Sequence, residues 1–463
     1  MFFSQYYLDC LSQASYLIAD ETTGQAVVVD PRRDVSEYLA DARARGFTVV
    51  GVINTHFHAD FVAGHLEMAD ETGAWIGYGR RAETEYPIRK LAEGERIALG
   101  DVVLEVMETP GHTPESISVL VYEHAADPVP YGVLTGDALF VGDVGRPDLL
   151  ASSGVTAEEL GAMLHHSVQH KLMGLPDEVR IFPAHGAGSA CGKNLSTEKQ
   201  STIGAQRATN YACAPMSREE FVALVTAGQS TAPGYFAYDA ELNRRDRARY
   251  DLTAARPLAL ADFAGLRERG AVVVDARDPQ DFAAGHFRGA LNVPADGRFA
   301  EQAGTVLDPA AELVVMAPQN REEEIVTRLA RIGFDRVAGY LRSPDDALAA
   351  LADQVTPAGR VTVAQLRAAL EGEAPPVVVD VRGEDEREAN GVVPGAVHIA
   401  LAELPGRLTE LPTDRPLVVH CAGGHRSSIA AGLLRHHGFT DVSDLLGGYT
   451  AWALAEDGAA AAG

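Results

Sequence analysis

Short runs of β-branched and apolar residues recur through the first half of the chain, each closed by a polar or glycine-bearing turn: Ala26-Val-Val-Val-Asp30, Val49-Val-Gly-Val-Ile53, Val102-Val-Leu-Glu-Val106 and Tyr131-Gly-Val-Leu-Thr135. Branched Cβ atoms pack well on a pleated surface, so runs of this length between turn formers predict strands. Between them, Asp34 to Arg45 carries Val35, Tyr38, Leu39 and Ala42 at helical spacing and then meets Gly46, a stop signal. The opening MFFSQYYLDCLSQASYLIADE has no basic start, no sustained apolar stretch and an acid by Asp9. It therefore reads as a first strand, not as a leader. From Ser196 to about Arg249 the pattern turns polar and helical, which suits a capping segment leading into a connector. Residues 1–250 thus form a mixed α and β domain.

The remainder repeats itself. Ala271-Val-Val-Val-Asp275-Ala-Arg277 returns 105 residues later as Pro376-Val-Val-Val-Asp380-Val-Arg382, and at the same offset Leu313-Val-Val-Met316 faces Val418-Val-His-Cys421. Gly289-Ala290 and Gly395-Ala396 sit one residue out, and a late Gly-Tyr occurs in each copy, Gly339-Tyr340 and Gly448-Tyr449. Two small α/β domains with mostly parallel strands follow from this, at 251–355 and 356–463. The Ala-rich tail after Trp452 is expected to fray.

The chain has 463 residues, which at roughly 150 per domain agrees with three domains. Hydrophobic residues make up 46% and charged residues 22%, and no stretch approaches the roughly 20 apolar residues of a membrane span. The net charge of −26 repels polyanions, which excludes nucleic acid as a natural partner. Cys10, Cys191, Cys213 and Cys421 are too few and too far apart for a disulfide framework or a metal knuckle, so a cytoplasmic, reducing setting is expected.

Chemistry gathers at the strand ends. Thr55-His56-Phe57-His58-Ala59-Asp60 leaves the Val49–Ile53 run, and His112 (Thr109-Pro-Gly-His-Thr113), Asp137 (Leu134-Thr-Gly-Asp137) and His185 (Phe182-Pro-Ala-His-Gly186) each follow another run at a turn. These four segments resemble the metallo-β-lactamase superfamily, with Thr-His-x-His-x-Asp-His and later His, Asp and His, over roughly residues 1 to 245. An αββα sandwich is implied. Phe61 stands where that pattern has a further histidine, and a phenyl ring cannot coordinate a second metal. His56, His112 and Asp137 would then form a two-histidine, one-carboxylate face, the set typical of mononuclear non-haem Fe(II), one per chain. That pattern is similar to the persulfide dioxygenase branch, which places His58, Asp60 and His185 behind the ligands as supports. Gly145-Arg146-Pro147-Asp148 also matches the branch, where the arginine lies near the thiol substrate; an ion pair between Arg146 and Asp148 is the alternative. The Asp-Tyr of glutathione-using members is replaced by Gly186-Ala187. Cys191 would be a persulfide acceptor or an inert buried thiol.

Val418-Val-His-Cys421-Ala-Gly-Gly-His-Arg426-Ser-Ser reads as strand, loop and the helix Ser427 to Leu434. A thiol at a helix N-terminus among backbone amides, Gly423, Gly424, His425 and Arg426 favours thiolate. The loop resembles that of rhodanese sulfurtransferases, and its six residues from Cys421 to Arg426 suit sulfur, where related phosphatase loops have one more. In the earlier copy Met316 and Arg321 are expected at the cysteine and arginine positions, which leaves no thiol for transfer. The whole chain resembles bacterial persulfide dioxygenase-rhodanese fusions. This implies that a low-molecular-weight persulfide, of glutathione or coenzyme A, is oxidised by O2 to sulfite, and that Cys421 passes sulfane sulfur to sulfite to give thiosulfate. It also leads us to expect a homo-oligomer, dimer or tetramer. The alternatives are a glyoxalase II-like thioester hydrolase, which needs a dinuclear site, and a non-catalytic sulfur carrier or sensor, which leaves the metal triad unexplained.

Overall fold

Every residue of the strand Gln13–Ala19 is buried, so both of its faces need a cover. Ala14, Tyr16 and Ile18 point into one apolar cluster with Leu104, Val119 and Leu134, whereas Leu17 and Ala19 point into another with Tyr38, Leu39 and Ala42. The two-residue side-chain period of a strand produces this division. In the computed structural model, which describes residues 1–149, 154–229, 231–251 and 255–462, two six-stranded sheets face each other across the first cluster. One runs Phe2–Leu8, Gln13–Ala19, Gln25–Val29, Thr48–Ile53, Trp75–Gly79 and Arg89–Leu91; the other runs Ser201–Thr202, Arg180–Pro183, Gly132–Gly136, Ile117–Tyr122, Val103–Glu108 and Arg96–Ala98. Helices Ser36–Ala44 and His65–Thr72 cover the first sheet, while Ala157–His166 and Arg218–Thr226 cover the second. The expected αββα sandwich is present.

The chain divides into two compact units, Met1–Tyr250 with Ala330–Gly333, and Asp251–Leu329 with Phe334–Gly463. In the first, the segment read as polar and helical adds the edge strand Ser201–Thr202 and the helices Ile203–Thr209, Arg218–Thr226 and Tyr235–Leu242. Among the described residues no helix is long and apolar enough to cross a membrane.

The second unit holds both repeats, each a sheet whose strand pairs are parallel: Leu291–Asn292, Val272–Asp275, Leu313–Met316 and Val337–Leu341 in one, and Gly359–Val361, Val442–Leu445, Leu417–His420, Val377–Asp380 and Val397–His398 in the other. Gly289 and Gly395 turn the chain with similar positive φ, +80° and +76°.

Strand register and element bounds correct the sequence comparison in detail. Asp275 pairs with Met316 but Asp380 pairs with His420, and Met316 and His420 carbonyls accept the equivalent amides of Ala276 and Val381. Ala317, not Met316, therefore stands at the cysteine's place, and the first repeat's loop from Ala317 to Arg321 is one residue shorter than Cys421 to Arg426. Gly339-Tyr340 lies inside the strand Val337–Leu341, whereas Gly448-Tyr449 opens the helix Gly448–Ala462, so the two dipeptides are not equivalent. That last helix continues through the Ala-rich tail to Ala462 instead of fraying, as befits the strongest helix former.

Candidate functional site

Each chemistry-bearing turn follows a strand of the sandwich, and four of them converge. His56 Nε2 and His112 Nε2 lie 3.7 and 3.5 Å from Asp137 Oδ2, and all three residues are buried. The far side of each ring is fixed: His112 Nδ1 donates to the Arg146 carbonyl at 2.9 Å, and His56 Nδ1 meets Thr55 Oγ1 at 2.9 Å. Both Nε2 atoms are thereby left to face Asp137 with their lone pairs, and His56 Nε2 has no hydrogen-bond partner among the described residues. Burial, reinforced by His58, holds the His56 imidazole well below its usual range. Burial would raise the Asp137 carboxyl, but His185 and His56 hold it well below the usual carboxylate range.

His58 does not join this face; its Nε2 turns to Asp30 Oδ1 at 2.9 Å. His185 lies between two acids, with Nδ1 on Asp137 at 2.8 Å and Nε2 2.9 Å from Asp60 Oδ2. Burial opposes a proton there, yet Asp137 and Asp60 overcome it and push His185 well above its ordinary value. Phe61 is buried with its ring 4.3 Å from that of His58. Asp60, His185 and Cys191 form a second cluster of ligand-type atoms, all within 4.8 Å of one another. Burial and then Asp60 and Asp137 push the Cys191 thiol well above its usual value, which favours S–H over thiolate. Arg146 makes the ion pair with Asp148, bidentate at 2.6 and 2.8 Å, and reaches the Ala190 carbonyl at 3.4 Å.

In the second repeat, Cys421 is buried at the end of Leu417–His420 and starts the loop into the helix His425–His436. The Gly424 amide points at its Sγ from 3.1 Å, and Ser427 Oγ lies 3.8 Å away. Gly424 adopts φ +106°, a conformation that suits glycine. The carbonyl side of the loop is held by the Tyr449 and Thr450 amides, bonded to Cys421 and Ala422 at 2.7 and 3.0 Å. Gly448 permits this approach, since a Cβ there would stand 2.5 Å from the Cys421 oxygen. Gly423 is exposed at the tip, His425 reaches Gln302, and Arg426 forms a bidentate pair with Glu386 at 2.5 and 2.7 Å.

The pattern of the metallo-beta-lactamase superfamily matches residues 8–185, and that of the rhodanese-like domain matches 259–342 and 362–455. A crystal structure of a metallo-beta-lactamase from Staphylococcus aureus subsp. aureus COL is similar with a TM-score of 0.66 and 34% identity, over 73% of this chain and 98% of that one. The chain belongs to the metallo-beta-lactamase superfamily. Behind that superfamily's fold it carries two rhodanese-like domains. It is similar to the persulfide dioxygenase ETHE1, mitochondrial, of Homo sapiens, at 29% identity over 173 residues, 37% of this chain and 63% of the relative. It is also similar to the hydroxyacylglutathione hydrolase of Rhodospirillum rubrum, at 33% over 172 residues, 37% of this chain and 60% of the relative. The chain thus spans less than two thirds of the length of these curated relatives.

Two residues that brace the His56–Asp60 turn carry no clear mark in the sequence. Asp30, with φ +51°, accepts the Thr55 amide at 2.7 Å, its hydroxyl at 2.9 Å and His58, so one carboxylate aligns the His56–Asp60 turn from behind. Asn243 donates to the His58 and Phe61 carbonyls, both at 2.8 Å, and accepts the Ala63 amide at 2.8 Å. Asp30 offered one signal, an acid closing a Val run; Asn243 offered none.

Proposed function

We propose that the chain is a mononuclear iron persulfide dioxygenase joined to a rhodanese sulfurtransferase, acting on low-molecular-weight thiol persulfides such as those of glutathione or coenzyme A. The observation that carries this reading is the convergence of the His56, His112 and Asp137 ligand atoms within 4.8 Å of one another, with the non-coordinating Phe61 ring packed against His58. The donor set fits Fe(II): two imidazole Nε2 atoms, that of His56 without a hydrogen-bond partner among the described residues, one carboxylate held well below its usual range, and no cysteine. Bound there, iron would supply the redox chemistry by which O2 oxidises the persulfide's terminal sulfur to sulfite. The chain's own residues do the rest of the positioning. Thr55 and the Arg146 carbonyl fix the tautomers of His56 and His112, and His185 stands between Asp137 and Asp60, 2.8 and 2.9 Å from them. Arg146 would stand near the carrier thiol. At the other site the Cys421 thiolate takes sulfane sulfur from a persulfide, releasing the carrier thiol, and the Gly424 amide stabilises charge on sulfur. Sulfite then removes that sulfur as thiosulfate and restores the thiolate.

Metal content of the purified chain, with oxygen uptake on glutathione persulfide and coenzyme A persulfide, tests the reading. About one iron per chain and uptake are expected, both lost in His112→Ala, whereas His58→Ala keeps more metal because its ring is tied to Asp30. Equal metal loss in the two variants makes His58 a ligand. Two tight zinc ions and thioester hydrolysis without oxygen uptake would replace the reading with the hydrolase one.

A further inference from the structure

The Cys421 loop is not finished by its own repeat. His425 Nε2 lies 3.0 Å from Gln302 Oε1, and an amide oxygen only accepts, so the ring donates. Gln302 belongs to the helix Phe299–Val306 of the first repeat. Three residues further along, Ser428 Oγ donates to Asn292 Oδ1 at 2.7 Å. Asn292 is fully buried, and its Nδ2 donates to the Asp275 and Arg277 carbonyls at 2.9 and 3.0 Å, so its amide is satisfied on both sides. A Cβ at Gly432 would stand 3.4 Å from the Asn292 backbone nitrogen, and His436 Nδ1 meets the Gly289 carbonyl at 2.8 Å. The helix that carries the sulfur loop is thus docked along the first repeat over its whole length.

The docking surface is itself braced by the loop that has no cysteine. Arg321, which closes that shortened loop, binds Asp296 at 2.7 Å, and Arg328 binds the Gly297 carbonyl at 2.8 Å. Asp296 is one of the acids whose field reaches His425. These arginines therefore fix the Ala295–Gly297 stretch that leads into the helix of Gln302.

We infer that Gln302 is a positioning residue for sulfur transfer at Cys421, and that the first repeat, without a nucleophile of its own, forms the second wall of that site. Gly423 and Gly424 give the loop wide conformational freedom, and Gly424 must keep φ +106° for its amide to reach Sγ. Holding the adjacent His425 restricts that freedom. The inference rests on reading Cys421 as the sulfur carrier.

Thiosulfate:cyanide transfer by the full chain tests both in separable ways. In this assay Cys421 takes the sulfane sulfur of thiosulfate, sulfite leaves, and cyanide removes the sulfur as thiocyanate. A wild-type chain without the activity overturns the carrier reading itself. Given activity, Gln302→Leu is expected to lower kcat about three- to tenfold, as loss of one neutral hydrogen bond in the transition state would, and to change the alkylation rate of Cys421. Gln302→Glu keeps an acceptor for the same N–H and should stay within about twofold of wild type. His425→Leu removes the bond from the other side, so the double variant with Gln302→Leu should be no slower than the slower single variant. A Gln302→Leu rate equal to wild type, a Gln302→Glu rate as low as Gln302→Leu, or additive losses in the double variant overturns the inference.

Discussion

The two repeats of the second unit are built on the same brace and differ at the loop opposite it. Arg277 and Arg382 each bind their aspartate with Nη2 2.6 Å from Oδ2, and each also donates to a glycine carbonyl, Gly285 at 2.9 Å and Gly391 at 2.8 Å. Across the sheet, one chain segment offers Cys421 with Gly423 and Gly424, and the other offers Ala317 with Pro318 and Gln319. Proline removes a backbone amide from the loop, and the missing residue changes the loop's span. Fold and chemistry separate here: both repeats keep the same strand-end ion pair, while a handful of loop residues decides whether a thiol and its glycine amides are presented.

The largest effect should come from Cys421→Ser. Serine keeps the loop's shape and cannot hold sulfane sulfur, so thiosulfate:cyanide transfer should fall by about a thousandfold or more, with sulfite replacing thiosulfate as the product of persulfide oxidation. Oxygen uptake should remain, since no cysteine is among His56, His112 and Asp137. Enzymatic thiosulfate formation at the native rate would move the transfer to another thiol, with Cys191 first.

The converse substitution is more demanding. Ala317→Cys in a Cys421→Ser background puts a thiol at the register of the active cysteine, but without the glycine amides, so transfer should stay below about 1% of wild type. Substantial activity would mean that the thiol alone, not the loop, separates the repeats.

Gly448→Ala should have a middling effect. The new Cβ would press on the Cys421 oxygen at 2.5 Å and sit at φ +57°, costing about 1–3 kcal/mol and lowering transfer. Gly339→Ala in the first repeat presses on the Arg256 oxygen instead and should lower thermal stability while leaving transfer per folded molecule unchanged. Equal losses of transfer would contradict the inequivalence of the two Gly-Tyr positions.

Much of this was legible in residue order and some was not, for identifiable reasons. Strand-end histidines and Asp137 could be grouped because each follows an apolar run, and the sandwich brings those ends together. The repeat's offset was wrong by one residue in its second run because Leu313-Val-Val and Leu417-Val-Val are apolar at every step. Such a run fits its copy at either register, and only pairing with Asp275 and Asp380 fixes it. Asp30 acts through a left-handed backbone and three tertiary contacts, and Gln302 through a partner 123 positions away, neither of which leaves a local pattern.

The smallest effect separates the two braces by pH. Burial raises both aspartates, but Arg382 and His420 together hold Asp380 below its ordinary value, whereas Asp275, despite Arg277, stays above its own. His420 Nε2 stands 3.7 Å from Asp380, and Met316 fills the equivalent position beside Asp275. A carboxyl whose folded value is depressed adds stability that is present above its unfolded value of 3.8 and is lost as pH falls through the folded value. Asp380→Asn should therefore flatten the rise of stability with pH below about 4, on top of a pH-independent loss from stranding Arg382. Asp275→Asn should strand Arg277 in the same way without flattening the slope, because a raised carboxyl contributes with the opposite sign. Urea unfolding of both variants across that pH range measures it, and equal flattening would show that the two braces are electrostatically alike and differ only in the loops they face.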